Sequence, residues 1–107
     1  HVHGNDHQDV TKSLWKIGET LYRQGKHDEA VQVYEEALVG FTRALGVDNE
    51  IIADMRYRIA LAKDKSGDVA GALESARECV RIYDKLGITN KYSQIAGDMV
   101  MRLEGIE

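Results

Sequence analysis

Residues 14–45, LWKIGETLYRQGKHDEAVQVYEEALVGFTRAL, decide the fold. Apolar residues at Val10, Leu14, Ile17 and Leu21 fall on one face of an α-helix. Gly25 interrupts that pattern, and Ala30, Val31, Tyr34, Ala37, Leu38, Phe41 and Leu45 restart it. Two amphipathic helices joined by a tight glycine turn form a helical hairpin. A hairpin this short cannot bury both its apolar faces alone, so it requires a neighbour.

The chain provides one. Gly4, Asp6, Val10, Ile17 and Gly25 return 42 residues later as Gly46, Asp48, Ile52, Ile59 and Gly67. Ala30, Val31, Glu36, Leu38 and Phe41 return as Ala72, Leu73, Glu78, Val80 and Tyr83. Self-similarity at a fixed period in this range is the mark of a stacked repeat. The spacing predicts helices over about 10–24, 28–45, 51–65, 69–86 and 91–103, an all-α chain of five helices. Asp6 or Asp9 is the expected cap of the first helix, and Asp48 or Asn49 that of the third. Val10, Leu14, Ile17 and Leu21 are expected to face inward, as are Ile52, Met55, Ile59 and Ala60. In the fifth helix Tyr92, Ile95, Met99 and Leu103 share a face. Gly40 and Gly71 lie inside helices, where glycine costs about 1 kcal/mol against alanine, and close helix–helix approach would explain them. Lys63 stands where the first repeat has Leu21; its stem is expected to pack while its ammonium reaches solvent.

A chain of 107 residues is one domain by length and buries roughly 60–68% of its unfolded surface. Its net charge of −4 argues against nucleic acid or an anionic membrane as partner. No apolar run approaches the roughly 20 residues of a membrane span. No signal peptide is read, and the single cysteine excludes an internal disulfide, so a cytoplasmic location is expected. His1, His3 and His7 are metal-ligand types, but no partner ligands stand at helical spacing around them. Cys79 takes the small inward position of Ala37 with no histidine at matching spacing, which makes it a core thiol. The segment GDVAG lacks the strand and the Lys-Ser/Thr of a phosphate loop. No catalytic residue, metal or cofactor is therefore expected, and the chain is not read as an enzyme.

The pattern Leu14, Ile17, Gly18, Leu21, Gly25, Ala30, Tyr34, Ala37 resembles the tetratricopeptide repeat. GNDHQDVTKSL (4–14) and LYRQGKHDEAVQVYEEAL (21–38) resemble its 42-residue version in kinesin light chains. The resemblance is strong over 4–46, moderate over 46–87 and weak beyond. Trp15-Lys16 and Tyr57-Arg58 stand where that version usually has Asn-Asn, and Arg56, Lys63 and Ala76 replace Leu14, Leu21 and Tyr34 in the second repeat. The resemblance implies a right-handed solenoid of two helical hairpins, about 4–45 and 46–87, with 88–107 as capping helix or partial third repeat. It also implies protein–protein interaction, with the first helix of each repeat lining a concave surface.

On a wheel of 100° per residue, Lys12, Trp15, Lys16, Glu19 and Arg23 lie opposite the apolar stripe of the first helix, with Tyr22 beside them. Asp54, Tyr57, Arg58, Leu61, Asp64 and Lys65 lie opposite that of the third. Apolar groups rimmed by polar ones mark interaction surfaces, and Trp, Tyr and Arg are the hot-spot types. Trp15 and Tyr57 are repeat equivalents and are expected side by side, with Tyr22 and Leu61 extending the strip. Lys16 and Arg58 suit a carboxylate. The expected ligand is a short peptide or helix with an apolar anchor and acidic neighbours. Packing of Trp15 on an adjacent helix, or of Tyr57 and Leu61 on the fifth, is the alternative. Two repeats and a fragment also leave the stack unfinished, to be completed by a longer array, by the fifth helix or by a second copy at an open edge.

Overall fold

The computed structural model describes residues 3–105, with side chains from Val10 onward. Five helices follow one another: α1 (His3–Arg23), α2 (His27–Leu45), α3 (Glu50–Ser66), α4 (Val69–Leu86) and α5 (Lys91–Leu103). Each packs on the next, α1 on α2 through α4 on α5, and α5 also touches α3. The body measures 54 × 33 × 19 Å. Its least dimension is about two helix diameters, so it is a slab of hairpins laid side by side.

The ends of α3, α4 and α5 follow from local chemistry. Asn49 accepts a hydrogen bond from the Ile51 N–H at 2.8 Å, and Asp68 accepts from Gly71 N–H at 2.9 Å. Asn90 and Ser93 form a reciprocal capping box at 2.9 and 3.0 Å. Gly67 and Gly87 end α3 and α4 in left-handed backbone, at φ +91° and +70°, where a Cβ would be strained. Helix α1 starts seven residues before the expected position. Residues 5–17 contain neither glycine nor proline, and each added residue gains one hydrogen bond once a helix exists. Asp6 and Asp9 therefore lie inside α1 and not at its cap. Asp48, the alternative cap of α3, turns away to bind Arg81 and Lys85 at 3.0 and 2.7 Å.

The core lies where the hairpins meet. Ile52 and Ile59 are 1% exposed, and Met55, Tyr34, Leu38, Ile82 and Tyr83 are buried with them. The inward stripe expected on α1 is covered only in part: Leu14 and Leu21 are half-buried, Leu21 against the core, and the other two positions are a correction. Val10 and Ile17 are 58% and 49% exposed, although their equivalents Ile52 and Ile59 are fully covered. The face of α1 that meets α2 instead carries Thr11, Trp15 and Gly18, because α2 lies about a quarter turn round from the apolar stripe. The first helix of a stacked repeat has two faces to cover, and among the described residues α1 has a neighbour on only one side. In α5, Ala96 and Met99 are buried, whereas Ile95 stays 41% exposed.

Gly40 is the close approach expected, its Cα lying against the Thr11 side chain. Gly71 has a different reason: a Cβ there would strike Asp68, the cap of its own helix. A further close approach was not read from the sequence. A Cβ on Gly18 would lie 2.5 Å from the Tyr34 ring. Between helices, Lys63 pairs with Glu35 at 3.1 Å and Arg102 with Asp64 at 2.7 Å, and Arg77 pairs with Glu104. The Lys63 ammonium thus reaches a carboxylate on α2, beyond the simple solvent exposure expected of it.

Gly18→Ala is expected to destabilise by about 1–2 kcal/mol in urea denaturation, because overpacking against Tyr34 outweighs the helix propensity gained. Gly97→Ala in α5, where a Cβ meets nothing within 4 Å, should stabilise by about 0.5–1 kcal/mol. Equal effects at the two sites would show that the Gly18–Tyr34 contact does not govern α1–α2 packing.

Candidate functional site

A cleft of about 290 Å³ opens between α1 and α3, with α2 contributing to its lining. Lys12, Trp15, Lys16 and Glu19 line it from α1, Asp54 and Arg58 from α3, and Phe41 from α2. Five residues expected at the site, Lys12, Trp15, Lys16, Glu19 and Arg58, thus come together around one opening. They do so because i, i+3, i+4 and i+7 on α1 form one face.

The cleft's charges are unevenly matched. Arg58 lies 3.8 Å from Glu19 and 3.5 Å from Asp54, braced between acids of both helices. The Asp54 Oδ1 makes no hydrogen bond, so the second of these is an ion pair only. Among the described residues neither Lys12 nor Lys16 takes part in an ion pair, and both are exposed. The two acids are thus committed to Arg58, and the unbalanced charge on the rim is positive.

The Trp15 ring rests on Tyr34 with centroids 4.2 Å apart and planes tilted 37°. Tyr34 is buried, and burial followed by the Glu19 carboxylate pushes its phenol up to about 12. Trp15 is consequently half-buried, one side held by α2 and the remainder edging the cleft. Tyr57, the repeat equivalent of Trp15, turns to α5 and packs on Tyr92 at 5.2 Å. Burial raises its phenol also, with the Arg58 charge opposing. Leu61 packs in the cluster of Ala60, Ala76 and Met99, again toward α5. Tyr22 meets His27 edge-on at 5.3 Å, and Arg23 and Lys65 are exposed at the helix ends. Those five positions stand apart from the cleft lining.

Sequence reasoning missed Phe41, which the helical period assigns to the inward stripe of α2. Phe41 forms the floor of the cleft and continues into a second, mainly apolar hollow of about 720 Å³. That hollow is edged by Lys12 on α1, Gly40, Ala44 and Leu45 on α2, and Ile51 on α3. Its signal was the substitution of Gly40 for the buried Ile82 of the second repeat, which removes a side chain beside Phe41.

No serine, cysteine or histidine is among the residues that line the cleft. Cys79 is buried in the core, and burial pushes its thiol up to about 12, so thiolate is scarce at neutral pH. Among the described residues no group of three or more His, Cys, Asp or Glu is placed to hold a metal. The side chains of His1, His3 and His7 lie outside the described residues. No helix among the described residues is long and apolar enough to cross a membrane.

Native protein at pH 8 is expected to leave Cys79 unmodified by a thiol reagent that reacts at once in denaturant; rapid native labelling would contradict its burial. Alkaline titration at 295 nm should show one phenol ionising near pH 12, absent in Tyr34→Phe. Since that phenol stays neutral in the folded state and ionises near 10 in the unfolded one, stability should fall as pH rises from about 10 to 12. An unchanged titration in Tyr34→Phe would contradict the assignment.

A family model for the tetratricopeptide repeat matches residues 2–85. No curated protein matches the chain.

Proposed function

The chain belongs to the tetratricopeptide-repeat family, and from that premise we propose that its α1–α3 cleft binds a peptide or helix of a protein partner. Repeats of this family generally mediate protein–protein interaction and are generally non-catalytic scaffolds. The ligand carries an apolar anchor beside an acidic group. The observation behind this reading is the pairing of two unmatched ammonium groups, Lys12 and Lys16, with the half-covered faces of Trp15 and Phe41. An anchor would enter over Phe41 against Trp15, and its carboxylate neighbour would meet the lysines. Arg58 is positioned to exchange Asp54, to which it makes no hydrogen bond, for a ligand carboxylate. Tyr22, Arg23, Tyr57, Leu61 and Lys65, away from the lining, would extend the contact only for a longer ligand.

We read the chain as one domain, with repeats over about 4–45 and 46–87 and a capping helix or partial third repeat over 88–107. The 42-residue period supports the kinesin-light-chain-like version of the repeat, and the lone unpaired cysteine supports a cytoplasmic setting. The net charge of −4 weighs against nucleic acid. A second reading, favoured by the bare Val10 and Ile17, is a structural or self-associating piece of a longer array with no ligand in its cleft.

Trp15 is the chain's only tryptophan, so its emission reports on the cleft directly. Titration with an acidic, aromatic-containing peptide is expected to shift that emission saturably, and a peptide with its acids replaced by amides should bind about 5–20-fold more weakly. Arg58→Ala, Lys16→Ala and Trp15→Ala, followed by anisotropy of labelled peptide, should each weaken binding by about 5–30-fold while circular dichroism stays helical. Parental affinity in all three variants would remove the cleft assignment.

A further inference from the structure

The 42-residue period lets the same face be compared with and without a cover. Ile52 and Ile59 of α3 are 1% exposed beneath α2, and their equivalents Val10 and Ile17 on α1 are 58% and 49% exposed. The bare face also differs in chemistry from the covered one. Between its isoleucines and beyond them α3 carries Arg56 and Lys63, and Glu35 of the covering helix meets Lys63 at 3.1 Å. At those two positions α1 carries Leu14 and Leu21. A covering helix with the chemistry of α2 would set its carboxylate opposite Leu21. The fitting occupant is a helix face that is apolar throughout.

We infer that this occupant is the same stripe on a second copy of the chain, the two α1 helices pairing antiparallel about a two-fold axis between Leu14 and Ile17. The stripe Val10, Leu14, Ile17, Leu21, its valine and isoleucine exposed and its two leucines half-buried beside them, has the 4–3–4 spacing of an a/d seam over nearly two heptads. Antiparallel pairing sets Leu14 against Ile17 and Val10 against Leu21, each contact occurring twice, as an isologous interface demands. Between Val10 and Gln24 the open rim of the seam is Ser13, Thr20 and Gln24, all uncharged. Over the paired residues 10–21, two chains of net charge −4 therefore meet without like charges opposite one another. The far end of the slab is a poorer match for α1: the outer face of α5 sets exposed Ile95 and Met101 among Lys91, Gln94, Asp98 and Arg102. On the helical wheel the stripe lies opposite Lys12 and Lys16, so pairing leaves the α1–α3 cleft open. The inference does not depend on peptide binding.

Sedimentation velocity from micromolar to near-millimolar concentration tests it. The expected species is a reversible dimer, twice the 12.0 kDa of the chain, and no larger. Ile17→Glu should raise the dissociation constant at least about 100-fold, because a carboxylate would be buried unpaired. Ile95→Glu should leave the dimer intact. Both substitutions fall on exposed positions, and circular dichroism verifies that each variant is folded; Ile17→Ser serves if the glutamate perturbs α1. A chain monomeric throughout overturns the inference and leaves the stripe to a preceding repeat or another protein. Growth beyond two, dissociation by Ile95→Glu, or a dimer unaffected at position 17 overturns it in favour of another contact. Peptide titration of Ile17→Glu, read at Trp15, separates failure of this interface from failure of the cleft.

Discussion

Burial of Ile52 and Ile59 between α2 and the second hairpin is the interaction on which the molecule depends. Each fully covered isoleucine contributes roughly 1.5–3 kcal/mol, and these two join hairpins that would otherwise be separate amphipathic pairs. Because α3 meets α2 on one face and α4 on another, the angle between hairpins is set by side-chain packing. That angle brings Arg58 and Asp54 opposite Lys16 and Glu19 and so creates the cleft. Site and core are consequences of one helix having two covered faces.

The ion pairs reinforce this order without supplying it. Asp48, in the loop between hairpins, takes both Arg81 and Lys85 from α4, and these cations, Lys85 foremost, hold its carboxyl below the ordinary carboxylate range. Arg102 reaches back to Asp64 and Arg77 to Glu104, fixing α5 across α3 and α4. Such exposed pairs are individually worth little. Their positions are informative, since each joins elements distant in sequence and none would survive a one-turn slip of its helix.

Much of the architecture was legible in the residues. The bounds of α4 and α5 agree with expectation because Gly67-Asp68 and Gly87 with Asn90 are strong local signals for stopping and starting a helix. The start of α1 was not legible, since polar residues that favour caps are also tolerated inside a helix when no glycine or proline stops it. Amphipathicity located the stripe of Val10 and Ile17 correctly as apolar, but a period cannot say whether a neighbour is present to cover it. For the cleft, the wheel put Lys12, Trp15, Lys16 and Glu19 on one side of α1, as found. It left Tyr57 and Leu61 undecided between the strip and the fifth helix, and it gave no sign that Phe41 would form the floor, because both depend on contacts between helices.

The two hairpins, although built to one pattern, fill their interiors differently. Tyr34 lies on Gly18 where the second repeat has Ala76 and Ala60, and Gly40 lies on Thr11 where it has Ile82 and Ala53. Bulk has been moved between partner helices with the total roughly conserved, as close packing requires. Genetic exchange that breaks within a loop between hairpins keeps each matched couple together, and a helical array can be lengthened or shortened that way. A crossover inside a hairpin would seat a tyrosine on an alanine or leave a hollow beneath one. The unit of inheritance in this architecture is thus the couple of helices, and its natural joints are the segments around Gly46 and Gly87.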